Sequence, residues 1–573
     1  MAAANDPQES SSDCGGKSQK TLGREGKVMR NRRRSFVVGA VGLAAGLLLT
    51  ACSSSSDDSG GSDDSGATAG GSFSMAIEKP RVLTPTNCYD LYCAQVNRTL
   101  FEGLIEFQAD DQGASEPVKT DLAKDITSGD DGKTWKIEIN SGSTFTNGEP
   151  VTAQTFVDTW NYAAFGDNGQ QLGFVFGPEQ LNVVGYDEVA KSKSKEMSGI
   201  TVESDTVLTM ELEKAMGESL FLNFLGGPQV LPLPTTAIKD PKAYEKQPIG
   251  NGPYKLKEPW TNQGMTVIRN EDFTGEAGNA EEIEFKIYAD NNALWADLQA
   301  NQLDVASTLP QNALATAEAV LGDRFINDEG ALQFAYYGYP TNDPTFDEKD
   351  VRIGLAKAIN WDEINDKIYF NTRTTANSFA PKTIQGGGKD VCGDRCVFDG
   401  TKAKELIDGA GGVPGGAVKI PQLANETGDV QRAICNQIQT NTGVECTPQI
   451  FKDFGELIKK GSSTKGLIFG VSWVADNPTI QNMISPNFSK NSPINDVGYD
   501  NPEFDRLLQE GNAATDSAEQ VKKWQQAEQV IYDDFRAWAT QFRNNIGGYS
   551  TRVSNVDIAP DGIVDLSVVQ VTS

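Results

Sequence analysis

One short apolar run near the N-terminus decides which part of this chain can build a fold. Residues 36–49 contain no charged side chain, and they follow a basic stretch with Arg30, Arg32, Arg33 and Arg34. A basic stretch before a short apolar core is typical of an export signal, and a membrane-spanning helix needs about 20 apolar residues. We therefore predict that residues 1–51 are leader and signal peptide, and that the folded body lies outside the cytoplasm.

The apolar run ends in the sequence LTAC at residues 49–52, which resembles a bacterial lipobox. The resemblance predicts that Cys52 carries lipid and holds the mature chain on the outer face of the cytoplasmic membrane, because two or more acyl chains anchor stably. An uncleaved anchor with an incidental cysteine is the alternative. Sec or twin-arginine export, and a start at Met1 or at Met29, both stay open.

The segment after the cysteine separates the anchor from the body. Residues 52–72 are rich in serine, glycine and aspartate, which predicts a flexible tether. The remainder of the 573-residue chain is too long for one hydrophobic core, since single cores stop growing at about 250–300 residues. Two or three lobes are expected.

Composition excludes several function classes. The chain carries 79 acidic and 50 basic residues and a formal net charge of -29, so its surface repels phosphate backbones and nucleic acid is not an expected partner. It has no histidine, which removes the commonest general base and the commonest metal ligand. We expect no metal, no cofactor and no catalytic residues.

Six cysteines follow the lipobox as three close pairs. They are Cys88 with Cys93, Cys392 with Cys396, and Cys435 with Cys446. Thiols oxidise outside the cytoplasm, and short separations favour these three disulfides among the fifteen connectivities that six cysteines allow. A metal site is the alternative, but paired C-x2-C elements are missing.

Both strand and helix patterns occur in the body. Alternating apolar residues predict strands around Trp135, Ile137 and Ile139, around Leu208, Met210 and Leu212, and around Ile283, Phe285 and Ile287. Helical spacing covers residues 351–370 and recurs from Trp524 to Trp538, and glycine-rich breaks fall at 385–388 and 409–416. The mixture indicates an α/β or α+β protein of several lobes.

Five sequence blocks in order resemble the extracytoplasmic solute-binding proteins of family 5, which include oligopeptide-, dipeptide- and nickel-binding proteins. The blocks are NRTLFEGL at 97–104, DDGKTW at 130–135 with FTNGEPVTA at 145–153, PIGNGPY at 248–254, DVRIGLAKAI at 350–359 and SWVAD at 472–476. The resemblance covers essentially the whole mature chain.

The resemblance implies a two-lobed α/β fold of the periplasmic-binding-protein type (type II, cluster C-like) with a hinge and an extra inserted subdomain. Lobe 1 would comprise 73–106, 232–309 and 542–573, with the inserted subdomain at 107–231, and lobe 2 would be 310–541. The implied function is that of a monomeric binding protein of an ABC importer, which closes on short peptides and delivers them to permease subunits.

The resemblance also implies site residues. Asp476 would pair with the α-ammonium group of a peptide, because an ammonium taken from water needs a carboxylate nearby; the alternative is that it caps a turn before Asn477 and Pro478. Trp473 would line a side-chain pocket or pack in the core, and Val474 would offer backbone hydrogen bonds. Tyr89, in the loop 87–93, would line the ligand. The sequence departs from the family after Asp476, where a second acidic residue is missing.

Other functions remain as alternatives. The same fold binds nickel chelates, haem or oligosaccharides in related proteins, and a surface sensor is indistinguishable by sequence. An anchored hydrolase or penicillin-binding enzyme is the alternative of another class. Residues 462–465 fit S-x-x-K, yet neither S-D-N nor K-T-G accompanies them, so we expect no enzyme.

Overall fold

The computed structural model describes residues 70–572, apart from residues 112, 130, 131, 179 and 276. The predicted signal peptide, the lipidation site Cys52 and most of the tether lie outside the described residues, so these calls stay predictions. No helix within the described part of the chain is long and apolar enough to cross a membrane.

Strands and helices are mixed along the chain, often in runs of two to four of one kind. The strands are β1 Ser72–Ile77, β2 Ile105–Ala109, β3 Ser115–Lys119, β4 Ala123–Ser128, β5 Thr134–Ile139, β6 Ile200–Ser204, β7 Val207–Glu211, β8 Tyr254–Leu256, β9 Gly264–Arg269, β10 Glu282–Ile287, β11 Val305–Ala306, β12 Phe325–Asp328, β13 Gln333–Gly338, β14 Arg373–Thr375, β15 Ala417–Leu423, β16 Glu445–Phe451, β17 Phe469–Val474, β18 Ala537–Arg543, β19 Asn545–Tyr549, β20 Val553–Ser554 and β21 Gln570–Val571. The helices are α1 Leu91–Leu100, α2 Ala153–Ala164, α3 Gly173–Phe176, α4 Tyr186–Ala190, α5 Glu218–Phe224, α6 Thr235–Lys239, α7 Pro241–Tyr244, α8 Asn291–Gln299, α9 Leu314–Leu321, α10 Lys349–Lys357, α11 Trp361–Lys367, α12 Gly400–Gly409, α13 Asp429–Thr442, α14 Phe454–Lys460, α15 Ile480–Phe488, α16 Pro502–Ala513 and α17 Ser517–Asp534.

A seven-stranded sheet gathers segments from both ends of the described chain. Its strand order is β12-β19-β11-β1-β10-β9-β8, and β1 pairs in parallel with β10. Alternate residues of β10, among them Ile283 and Phe285, are fully buried in a core that this sheet shares with α1. The strand β12 lies in this sheet although its residues fall within the segment 310–541 that was assigned to lobe 2.

A second, four-stranded sheet has the order β14-β18-β13-β17, and all its pairs are antiparallel. Two short links join the two sheets: residues 329–332 between β12 and β13, and Asn544 between β18 and β19. Asn544 is buried, and its side-chain amide donates to Asn327 Oδ1 at 2.8 Å. This is the connectivity that the predicted hinge requires.

A third sheet, β4-β5-β7-β6, lies wholly within residues 107–231. Trp135 of β5 stacks on Phe221 of α5 with ring centroids 4.0 Å apart. Backbone hydrogen bonds, such as that from the Gly217 N–H to Asn512 O at 3.0 Å, connect this region with the helices that cover the four-stranded sheet. The lobe boundaries themselves stay a prediction.

The periodic patterns predicted strands better than helix ends. The three predicted strands are confirmed as β5, β7 and β10, and the glycine-rich segment 409–416 separates α12 from β15. The stretch 351–370 is split into α10 and α11, because the Asn360 side chain accepts the Glu363 N–H and starts a new helix. The later pattern ends at Asp534, since Phe535 takes the left-handed conformation and Trp538 lies in β18.

The structure contains the three predicted disulfides. The Cα atoms are 5.8 Å apart in Cys88–Cys93, 5.7 Å in Cys392–Cys396 and 4.8 Å in Cys435–Cys446. The third joins α13 to β16.

Candidate functional site

The strand β17 lies at an edge of the four-stranded sheet, and some of its backbone N–H and C=O groups point away from the sheet. It pairs with β13 alone in its sheet, and the Ala475 N–H donates to Leu332 O across that pair at 2.8 Å. Residues of an antiparallel pair alternate, so Ser472 and Val474 direct their N–H and C=O groups away from β13. Val474 is 56% exposed. This edge has the geometry to accept another strand.

Asp476 follows this edge, and no cationic side chain of the described residues forms an ion pair with its carboxylate. Its backbone N–H donates to Asn482 Oδ1 at 2.8 Å, and it is exposed to solvent. Desolvation by the surrounding protein raises the pKa of the Asp476 carboxyl. A hydrogen bond from the Asn482 side chain partly offsets this rise, and no cation among the described residues contributes to the shift. A carboxylate that solvent reaches, but that protein partly desolvates, is suited to receive a cation from outside.

The turn after Asp476 is capped by a different residue. The Thr479 side chain accepts the Asn482 N–H at 3.1 Å and starts α15, while its hydroxyl donates to Asn477 Oδ1 at 2.7 Å. Asn477 and Thr479 are both buried. Since Thr479 performs the capping, the carboxylate of Asp476 is not needed for that role.

Trp473 has the contacts of a packing residue. It pairs with Phe334, which pairs in turn with Phe542, and both phenylalanines are buried in the core. Cross-strand partners share a face of the sheet, so the half-buried indole lies on the core side. Its Nε1–H donates to Asn482 O at 2.9 Å. Its role in a ligand pocket stays a prediction.

Tyr89 lies elsewhere, in the loop that precedes α1. It is 48% exposed, and its hydroxyl accepts a hydrogen bond from Arg81 Nη1 at 3.1 Å. The disulfide Cys88–Cys93 closes this loop, and Asp90 caps α1. The structure brings Trp473, Val474 and Asp476 together, whereas no hydrogen bond or ring contact between described residues joins Tyr89 to them.

Sequence reasoning missed two arginines on the other side of the same sheet. Arg373 of β14 lies directly opposite Arg543 of β18. Desolvation, followed by the like charge of Arg373, lowers the pKa of Arg543. No motif connects these residues, because only the pairing of two distant strands brings them together.

Within the described residues, no group of three His, Cys, Asp or Glu residues could hold a metal ion. The segment that fits S-x-x-K follows α14, where the hydroxyls of Ser463 and Thr464 both donate to Lys460 O at 2.9 Å. These hydroxyls are used in a local turn.

Comparisons with known proteins give a consistent result. The sequence profile of the bacterial extracellular solute-binding proteins, family 5 Middle, matches residues 117–494. The oligopeptide-binding protein OppA of Bacillus subtilis is 24% identical, with 80% of this chain and 84% of that protein covered. The unliganded open form of the murein tripeptide binding protein MppA superposes with a TM-score of 0.76 at 18% identity, with 88% and 98% of the chains covered. Haemophilus influenzae OppA in complex with RPPGFSPFR gives a TM-score of 0.67 at 20% identity, with 89% and 100% covered.

Proposed function

Because the chain belongs to the bacterial extracellular solute-binding proteins of family 5, we propose that it captures short peptides outside the cytoplasm and delivers them to an ABC permease. The observation that carries the proposal is the open edge of β17, which leads directly into the unpaired carboxylate of Asp476. Relatives named as oligopeptide- and dipeptide-binding proteins support it.

The edge of β17 recognises what all peptides share. An extended peptide that adds to the edge accepts hydrogen bonds from the outward N–H groups of Ser472 and Val474 and donates hydrogen bonds to their C=O groups, whatever its side chains. Asp476 neutralises the α-ammonium group, which otherwise loses its hydration without compensation. Together they fix the direction of the ligand. Tyr89 closes over it from the other lobe in this proposal.

Closure is a movement about the two short links at 329–332 and Asn544. A ligand drives such a movement only by binding the closed state more tightly than the open one. An ammonium group held by Asp476, with its remaining bonds supplied by lobe 1, meets this condition. The protein performs no chemistry on the ligand in this proposal.

We also propose that Cys52 is lipidated and holds the protein at the outer face of the membrane. The LTAC sequence after the apolar run supports this. Cys52→Ala is expected to stop incorporation of radioactive fatty acid; labelling that persists in the variant contradicts the anchor.

Mass spectrometry of the ligand released from the purified protein tests the proposed function. We expect a mixture of short peptides, since recognition of the backbone tolerates many side chains. Haem, a nickel chelate or an oligosaccharide in their place would contradict the peptide proposal. The family fold would then bind a ligand of another class.

A further inference from the structure

The loop that carries Tyr89 has buried carbonyl groups that need hydrogen-bond partners. It begins in the short helical turn Pro85–Asn87 and ends where Asp90 caps α1. Thr86 and Cys88 are fully buried, and a buried backbone carbonyl without a donor is costly. Neither residue belongs to a strand, so no neighbouring strand supplies the donors. The residues that do supply them determine where the loop lies.

Three half-buried glutamines of the predicted inserted subdomain form hydrogen bonds with this loop. The Gln171 N–H donates to Thr86 O at 2.9 Å, and the Gln229 side-chain amide donates to Cys88 O at 2.7 Å. The Thr86 hydroxyl in turn donates to Gln170 Oε1 at 2.9 Å. Two separate segments of the subdomain thus hold the same loop.

Lobe 1 holds the chain on both sides of the loop. Before the loop, the Glu245 carboxylate accepts the Leu83 N–H at 2.6 Å and the Thr84 N–H at 3.0 Å. After it, the Asp90 side chain accepts the Cys93 N–H at 2.8 Å and starts α1. Lobe 1 thus fixes the ends of the loop, and the subdomain holds its middle, next to the exposed tyrosine.

Tyr89 comes directly after the carbonyl that Gln229 binds. The tyrosine side chain is exposed, so few packing contacts hold it, and the backbone beneath it sets its direction. The Arg81 side chain, which donates to the tyrosine hydroxyl, is exposed as well. A shift of the Cys88 carbonyl would therefore move Tyr89 with it.

We propose that Gln170, Gln171 and Gln229 are positioning residues for ligand binding. They hold the loop so that Tyr89 can close over a peptide bound at β17, and none of them touches the ligand. The proposal rests on the proposed function for the ligand and for the role of Tyr89. A loop that is already ordered loses less conformational freedom when the ligand binds, so this support raises the affinity. The inserted subdomain thereby contributes to binding without forming part of the site.

Calorimetry with an unblocked tripeptide tests this role in a double-mutant cycle. Gln229→Ala leaves the Cys88 carbonyl without its donor and should weaken binding by about two- to tenfold. Tyr89→Ala should also weaken binding, and adding Gln229→Ala to it should then change little, because the glutamine acts through the tyrosine. Gln154→Ala is the control, since its exposed side chain bonds Asp158 of the same helix, and it should bind like the wild type.

Three outcomes of the cycle would reject the positioning role. Equal losses from Gln229→Ala with and without Tyr89 would do so, because a general effect on the fold acts in both backgrounds. An unchanged affinity of Gln229→Ala would show that the loop needs no support from the subdomain. If Tyr89→Ala binds like the wild type, the loop does not contact the ligand, while the proposed function stands. A wild type that binds no peptide contradicts the proposed function itself, and the support of the loop is then decided without a ligand.

Hydrogen exchange of the ligand-free protein tests the support of the loop directly. Gln229→Ala should speed exchange at residues 84–90, because the middle of the loop loses its anchor, and should leave α1 unchanged. Gln229→Glu keeps the size of the side chain and, when ionised, has no donor, so it should speed exchange equally. Exchange at the wild-type rate in Gln229→Glu would show that packing, and not the hydrogen bond, holds the loop, and would overturn the proposal. Faster exchange in α1 and the loop alike would also overturn it, since the glutamine would then support the fold as a whole.

Discussion

The two sides of the four-stranded sheet carry opposite charges. At one edge, β17 leads into Asp476, a carboxylate with no cation of the described residues beside it. On the other side, β14 and β18 set Arg373 opposite Arg543. Surrounding protein desolvates Asp476 and Arg543, and no described residue of opposite charge pairs with either, although desolvated charges are normally compensated.

The two sites differ in how they arise from the sequence. Asp476 sits within five consecutive residues that match a family block, and its neighbours form one strand and one turn. The arginine pair exists only through the pairing of two strands that are distant along the chain. The comparison separates a charge that local sequence places, at Asp476, from a pair of like charges that only the tertiary fold brings together.

The largest expected effect is at the carboxylate. Loss of one partner from a buried, hydrogen-bonded charge pair costs about 2–5 kcal/mol, so Asp476→Ala should weaken peptide binding by about 30-fold to several thousand-fold. Asp476→Asn should also weaken it, because the amide keeps the shape and loses the charge. The measurement is calorimetry with an unblocked tripeptide.

Asp408→Ala is the control, because Asp408 is an exposed aspartate of α12 that pairs with Lys404. It should bind like the wild type. Equal weakening by both substitutions would mean that general electrostatics, and not the position of Asp476, determines the affinity.

A smaller effect is expected from the backbone of β17. The Val474 N–H points outward and is free for the ligand, so Val474→Pro should leave the sheet intact, as proline is tolerated on edges. It removes one hydrogen bond to the peptide, which should weaken binding by about two- to tenfold.

Val471→Pro is the control for that prediction. Val471 is paired with Tyr336 in the same register as Ala475, so its N–H points toward β13. This substitution should break the ladder and lower the melting temperature, whereas Val474→Pro should not. The reverse result would show that the Val474 N–H, and not the Val471 N–H, points toward β13. The proposed pattern of outward N–H groups on β17 would then be wrong.

The smallest effect is on the stability of the ligand-free protein. Desolvation raises the pKa of Asp476, so its ionised form costs stability as pH rises above the unfolded value of about 3.9. Asp476→Asn should therefore melt slightly higher than the wild type at pH 7, and the difference should vanish toward pH 3. Melting curves across this range check it; a lower melting temperature for the variant at pH 7 would contradict the direction of the shift.

The sequence correctly predicted the features that depend on local patterns of residues. Alternating residues located β5, β7 and β10, and short separations located the three disulfides. Single residues redirected the chain where prediction failed: Asn360 starts a second helix, and Phe535 ends α17.

A matching block does not by itself reveal a role. Arg352 belongs to the block at 350–359, and its buried guanidinium donates to the carbonyl oxygens of Phe346, Asp347, Asp534 and Phe535. It ties α10 to the end of α17, which is a structural task. Both Asp476 and Arg352 lie in sequence blocks that match the family, so the sequence does not distinguish their roles. Only their contacts in the structure do.

Blocking the N-terminus of the peptide tests the central claim most directly. Calorimetry compares a tripeptide and its N-acetylated form on the wild type and on Asp476→Ala. If Asp476 holds the α-ammonium, acetylation should severely weaken binding to the wild type and should weaken the variant much less, because the variant has no carboxylate left to lose. Equal losses in both proteins would contradict the account, since the amine would then be bound elsewhere and Asp476 would be only a turn residue.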